Sequence, residues 1–257
     1  MPVRWVEARL RAAGCVFPEG EARLLISSAA TSADLTSIVE RRAAGEPLEH
    51  VVGWAEFCGM RIIVDPGVFV PRRRTEFLVT HAIAVGRPRA VVLDMCCGSG
   101  ALGVAIAAHI GAIELHAVDI DPIAAVCARR NVADVGGEVY EGDLYGTLPA
   151  SLHGRVDVLV ANAPYVPTDA IALLPSEARI HEPLMALDGG PDGLDVLRRV
   201  IDEAAPWLAP RGHLLIETSA QQARPIADAV AGIGLLPRIE RSDALNATVV
   251  IGTASAR

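Results

Sequence analysis

Val156 to Ala161 form an apolar run interrupted by one acid, Asp157, the pattern of a buried parallel strand, and the run stops at Asn162-Ala163-Pro164-Tyr165. At such a boundary an Asn side chain can accept a hydrogen bond from an incoming NH₂ while its own amide donates elsewhere. Pro164 has no N–H, so it ends strand pairing and biases Ala163 to extended geometry, leaving main-chain carbonyls free for the second hydrogen. Tyr165 can cover a planar group by stacking. Asn162, Ala163, Pro164 and Tyr165 therefore suit a clamp on a planar, uncharged NH₂ of an amide or nucleobase. Such a nitrogen is a poor nucleophile, and aligning its lone pair is where catalysis would lie. Asn162, Pro164 and Tyr165 are the candidate catalytic residues, and all four are candidate substrate contacts.

A second constellation precedes it. Cys96 and Cys97 lead into Gly98-Ser99-Gly100-Ala101-Leu102-Gly103, a GxGxxG pattern after an apolar strand, with Asp119 at the spacing of a ribose-binding acid. An NAD enzyme and an S-adenosylmethionine (SAM) enzyme would both show it, and a structural βα turn would show part of it. Three acids shift the balance. Asp94 lies before the loop, where it could orient the loop or meet a cationic amino group through water. Asp119 follows the second strand, and Asp143 the third, where it could accept from an adenine amine. Three acids, with no Lys or Arg in the loop, suit a sulfonium nucleoside better than a pyrophosphate. The adjacent cysteines read as packing beside a nucleotide.

These residues need elements to hold them. Residues 1 to about 45 read as helices ending at Gly45, and a Gly- and Pro-rich stretch with short alternating apolar segments follows as a hairpin. From residue 90, strands such as AVVLDM, IELHAVDI and VDVLVAN alternate with helices, closing on PRIERSD and ATVVIGT. The alternation predicts an α/β domain with a mainly parallel sheet, helices on both faces and ligands at the carboxyl ends of the strands.

The 257 residues carry a formal net charge of −8, and all 23 basic residues are Arg. An acidic balance disfavours duplex DNA as a partner. No apolar run approaches the ~18 residues that would span a membrane, and Arg interrupts the N-terminal apolar stretch, so a cytoplasmic protein is expected. Five cysteines without paired spacing point to reduced thiols, and seven scattered histidines to no metal site. Arg72 to Arg74 form the densest positive run, with a solvated turn as the default reading and an anionic partner contact as the alternative.

N-x-P-Y after the fourth strand, together with LDMCCGSGALGVAIA, GEPLEHVVGWAEF, VFVPRRRTEFLV, RIHEPLMALDGGPDGL and HLLIETSAQQ, resembles the protein-(glutamine-N5) methyltransferases that modify peptide-chain release factors. The resemblance spans residues 20 to about 252. It implies a seven-stranded, Rossmann-like SAM-dependent methyltransferase domain (76–257) behind a helical substrate-recognition domain (1–46) and a connecting hairpin (47–75). It implies methylation of the glutamine amide in a Gly-Gly-Gln loop, with S-adenosyl-L-homocysteine as the product. By position, Cys96, Cys97, Gly98, Ser99 and Gly100 would line the SAM loop, with Asp94 beside it. Asp119 would hold the ribose with Ile120 next to it, Leu144 would flank the adenine beside Asp143, and Asn162 to Tyr165 would hold the glutamine. Three departures stand out. NAPY replaces NPPY, Cys96 replaces a glycine, and Arg73-Arg74 replace the Pro-Asp of PRPDTE. The helical front end is also about one helix pair shorter than the family's. Other acceptors that the same site would suit are another protein or a small amide or amine, and a SAM-binding protein without catalysis is the remaining alternative.

Overall fold

The structure, a computed structural model, describes residues 3–256. Four helices come first: α1 (Val3–Ala12), α2 (Pro18–Ser28), α3 (Ser32–Ala43) and α4 (Leu48–Val52). Thr31 caps α3 by accepting the Asp34 N–H at 3.1 Å, and Gly45, at φ +101°, follows the helix as its composition predicts. Val6, Leu10, Leu25 and Val39 close a small apolar core of their own among these helices. An antiparallel hairpin follows, β1 (Trp54–Phe57) with β2 (Met60–Ile63).

Seven strands then form one sheet. In chain order the elements are α5 (Glu76–Val85), β3 (Val91–Met95), α6 (Ala101–Ile110), β4 (Glu114–Asp119), α7 (Pro122–Val132), β5 (Glu138–Glu141) and β6 (Val156–Ala161). After them come α8 (Ser176–His181), α9 (Asp195–Ala204), β7 (Leu208–Thr218), α10 (Ala223–Gly232), β8 (Leu236–Ser242) and β9 (Ala247–Thr253). The sheet order is β5-β4-β3-β6-β7-β9-β8, parallel except where β9 meets its two neighbours. Successive side chains of β3 and β6 serve opposite cores, because strand residues alternate faces. Leu93, Met95, Leu159 and Ala161 pack with α9 and α10, whereas Val92, Val158 and Val160 pack with α5 and α6. Asp121 caps α7, accepting from Ile123 at 2.8 Å, with Pro122 at the first helical position.

The chain turns outward from β3 through β4 to β5 and then returns to the other side of β3 as β6. That reversal is the switch point beside which a ligand crevice opens in open α/β sheets.

Candidate active site

Strand register decides which residues meet. Met95 pairs with Val118 on one side and with Ala161 on the other, and Ala161 pairs in turn with Ile216. The next residue of each strand is therefore Asp119, Cys96, Asn162 or Glu217, four chemistry-bearing groups at one level of the carboxyl edge. Above them lies a cavity of about 290 Å³, and next to it a second of about 240 Å³. Both are walled by Phe69, Asn162, Pro164 and Ala186.

The larger cavity is lined by Cys96, Cys97, Gly98, Ser99, Asp119, Ile120, Asp143, Leu144 and Asn162, all of which the sequence reading offers as cofactor contacts. Two expected cofactor residues stand behind its wall. Asp94 is fully buried and its Oδ2 accepts the Gly103 N–H at 2.9 Å, so it braces the loop against α6 and does not contact the cavity. Gly100, at φ +76°, faces α7, where a Cβ would stand 3.1 Å from Val132. Asp119 spans the glycine loop, its Oδ2 accepting from Gly98 at 2.7 Å and its Oδ1 from Asp121 at 2.9 Å. Burial raises its pKa and those backbone N–H groups oppose the rise. The Gly98 and Gly103 N–H groups thus serve side-chain carboxyl groups, which leaves them unavailable to a pyrophosphate, and Asp119 sets an acid at the cavity wall where a sulfonium nucleoside would be attracted. Asp143 sits at the rim and pairs with Arg199 of α9 at 2.8 Å, a cation that sequence order does not bring to the loop. Cys96 lies at φ +57° and Leu144 at φ +47°, in the left-handed region. Burial pushes both the Cys96 and Cys97 thiols up, which makes them packing groups.

At the acceptor corner, Asn162 Nδ2 lies 3.4 Å from Thr75 Oγ1 and donates toward it, leaving Oδ1 to accept. Among the described residues no turn or loop N–H donates to the Ala163 carbonyl, while the Ala163 side chain, 1% exposed, packs into the core. Pro164 forms wall in both cavities and Tyr165 in the second alone. The Tyr165 hydroxyl donates to Glu217 Oε1 at 3.3 Å.

The segment after α8 fastens this corner backbone to backbone. Val166 donates to the Leu187 carbonyl, and Gly189 donates to the Val166 carbonyl at 2.9 Å. A Cβ at Gly189 would stand 2.8 Å from the Pro164 carbonyl oxygen, and one at Gly193 would stand 2.4 Å from that of Tyr165. Gln222 Nε2 bridges the Tyr165 and Asp192 carbonyls at 2.9 and 3.0 Å. The GG segment and the QQ segment accompany NxPY because only a bare backbone and one long amide fit against it.

In the Arg72 to Arg74 run, Arg73 and Arg74 are exposed as the solvated reading expects, but Arg72 and Arg74 also each hold a buried carboxylate. Arg72 donates to the buried Glu182 at 2.6 Å, and Arg74 Nε donates to the buried Glu217 at 3.3 Å. Arg42, nearly buried, joins Glu21 of α2 at 2.6 Å to Glu177 of α8, tying the N-terminal helices to the cleft. Arg199 was missed in the sequence because no motif marks it, Phe69 and Gln222 stand inside the VFVPRRRTEFLV and HLLIETSAQQ stretches without an assigned role, and Glu217 reads from sequence as ending a strand at the same mouth, with capping of the next helix as its plainer role. Glu217's place at the end of a central strand was the one available signal. Among the described residues no cluster of His, Cys, Asp or Glu could hold a metal, and no helix is long and apolar enough to cross a membrane.

Residues 59–190 match the family model of the methyltransferase small domain. The release factor glutamine methyltransferase of Deinococcus radiodurans is 38% identical over 242 residues, covering 86% of this chain and 85% of that protein. That of Geobacter sulfurreducens is 39% identical over 191 residues, 74% of this chain and 66% of its own length, just under two thirds. A 4-amino-L-phenylalanine/4-methylamino-L-phenylalanine methyltransferase of Streptomyces pristinaespiralis is 38% identical over 191 residues, 72% of this chain and 65% of that protein. In fold, a methyltransferase from Pyrococcus furiosus superposes with a TM-score of 0.57 at 17% identity, covering 77% of this chain and 90% of that one.

Proposed function

This chain belongs to the release factor glutamine methyltransferase family, and from that premise we propose that it methylates the side-chain nitrogen of a glutamine in the Gly-Gly-Gln loop of a peptide-chain release factor. The cofactor is SAM, which when bound supplies an electrophilic methyl group on a sulfonium centre. The geometry that supports this reading is the double exposure of Asn162 and Pro164, which wall the cofactor cavity and the adjoining cleft at once.

The chain's own groups divide the work. Asp119 accepts the ribose hydroxyls, Ile120 and Leu144 flank the nucleoside plane, and Cys96 to Ser99 form the floor of the loop. Asn162 Oδ1 and the Ala163 carbonyl accept the two hydrogens of the incoming amide, which points its lone pair at the cofactor cavity. Accepting both hydrogens favours the charge that develops on nitrogen during transfer. Phe69 and Pro164 keep water from the junction, and the surplus proton of the methylated nitrogen leaves to solvent through the open cleft. The protein would work in the cytoplasm, where release factors act.

The test is incubation with methyl-labelled SAM and a purified release factor, followed by mass mapping of the label. Label on the glutamine of Gly-Gly-Gln is the expected result, and label absent from the release factor overturns the reading. A second reading, N-methylation of a small aromatic amine, draws on the similarity to the Streptomyces enzyme; the same assay with 4-amino-L-phenylalanine in place of the release factor separates the two.

A further inference from the structure

Glu217 has no part in the scheme above, yet it is the charged group nearest in register to Asn162. It is 2% exposed at the end of β7, where Ile216 pairs with Ala161, and it lines neither cavity. A carboxylate buried this deeply is costly to keep unless its partners need it. Its Oε1 takes two donors from distant parts of the chain, the Tyr165 hydroxyl at 3.3 Å and Arg74 Nε at 3.3 Å, while its Oε2 has no hydrogen-bond partner among the described residues. The Arg74 guanidinium also lies 5.8 Å from the centre of the Tyr165 ring. Both partners line the acceptor cleft, and Thr75, next to Arg74, is the residue that Asn162 reaches. One buried oxygen therefore ties together the two walls between which an acceptor must enter.

We infer that Glu217 is a positioning residue for the acceptor, holding Tyr165 and Arg74 at a fixed separation across the mouth of the cleft. It does so without touching either substrate, and the inference rests on the reading of that cleft as the acceptor site. Arg74 keeps its outer N–H groups for the acceptor. Being half-exposed, with Nε alone committed to Glu217, it can offer a two-pronged donor to a main-chain carbonyl or a carboxylate beside the reacting amide. Removing Glu217 frees both side chains, while Glu217 itself lines no part of the cofactor cavity.

Two variants test this with a Gly-Gly-Gln peptide as acceptor. Glu217→Ala is expected to lower kcat/KM for the peptide by about 10- to 100-fold, with most of the change in KM, while the SAM dissociation constant from calorimetry stays within about threefold. Glu217→Gln, which keeps an acceptor oxygen for Tyr165 and Arg74, is expected to recover most of the loss. Unchanged peptide kinetics in the Ala variant overturn the inference, as does a Gln variant no better than Ala. A parallel loss of SAM affinity also overturns it, because that marks a general effect on the fold. If Glu217→Ala does not fold, the Gln variant decides, since the inference requires it to act on the peptide nearly as well as wild type. Wild-type protein that transfers nothing to the peptide, to a purified release factor or to 4-amino-L-phenylalanine refutes the acceptor reading separately. Glu217 is then judged by a crystal structure of the Ala variant, where Tyr165 and Arg74 must have left their wild-type positions.

Discussion

The side-chain amide of Gln222 donates to the main-chain carbonyl of Tyr165 at 2.9 Å, so the corner that forms the acceptor cleft is fastened from beneath by the turn that follows β7. The same amide reaches the Asp192 carbonyl at 3.0 Å. Two segments far from it in sequence thereby hold one short loop, which explains how a strand end can be rigid enough to orient a poor nucleophile.

Asn162→Ala is expected to abolish methyl transfer while SAM affinity stays within a few-fold of wild type. On the proposed reading the side chain offers the accepting oxygen at the junction of the two cavities, whereas the residues read as cofactor-binding lie mainly in the loops after β3 and β4. Calorimetry with SAM and a labelled-methyl assay separate the two effects, and unchanged turnover would refute the clamp.

Gly193→Ala introduces a Cβ 2.4 Å from the Tyr165 carbonyl oxygen and 2.5 Å from Gln222 Nε2, at φ +76°. Backbone must shift, and the displaced residue, Tyr165, belongs to the proposed acceptor corner. A stability loss of about 1–3 kcal/mol by urea titration is expected, with kcat reduced more than SAM binding.

Stability should fall with rising pH through Asp94. Burial raises its pKa to about 8, the Gly103 N–H opposes the rise, and Asp119 adds to it. Its folded pKa lies above its ordinary value of 3.8, so its stabilising contribution is complete below that value and is lost as pH rises to about 8. Asp94→Asn keeps an oxygen for Gly103 and carries no charge. Thermal melts of the ligand-free proteins from about pH 5 to 9 should show the wild type losing ground to the variant as pH rises.

Cys96 occupies the left-handed region at φ +57°, a conformation that costs a side chain about 1–2 kcal/mol. Cys96→Gly relieves that strain and should leave stability at or above wild type, despite the entropy a glycine adds to the unfolded chain. Cys96→Val, branched at Cβ, should cost more than about 2 kcal/mol. Chemical denaturation of both variants checks the pair, and a Gly variant markedly less stable than wild type would contradict it.

Arg42→Met leaves Glu21 almost buried without its cation and severs α3 from Glu177 at the cleft. A loss of about 3 kcal/mol is expected, the cost of stranding a buried charge, measured by the same denaturation.

Much of this was legible in the residues. Alternating apolar strands and helices announced a mainly parallel sheet, and the loop after LDMCC and Asn162-Ala163-Pro164-Tyr165 marked strand ends that line the two adjoining cavities. Those features are local, so neighbouring residues suffice to reveal them. Asp94 and Gly100, read as cofactor-binding, do not line the larger cavity, because sequence spacing says which strand end a residue occupies and not which way it turns. The Arg72–Arg74 run read by default as solvated, since its two carboxylate partners lie more than a hundred residues downstream.

Sequence by itself determined the strand ends and the residue types that stand at them, since backbone propensities and side-chain types act over a few residues. Tertiary structure alone decided that Asp119, Cys96, Asn162 and Glu217 stand at one level, that Arg199 reaches Asp143, and that Gln222 fastens Tyr165. Pairing register and helix packing set those distances, and both are settled only when the whole sheet closes over its two cores.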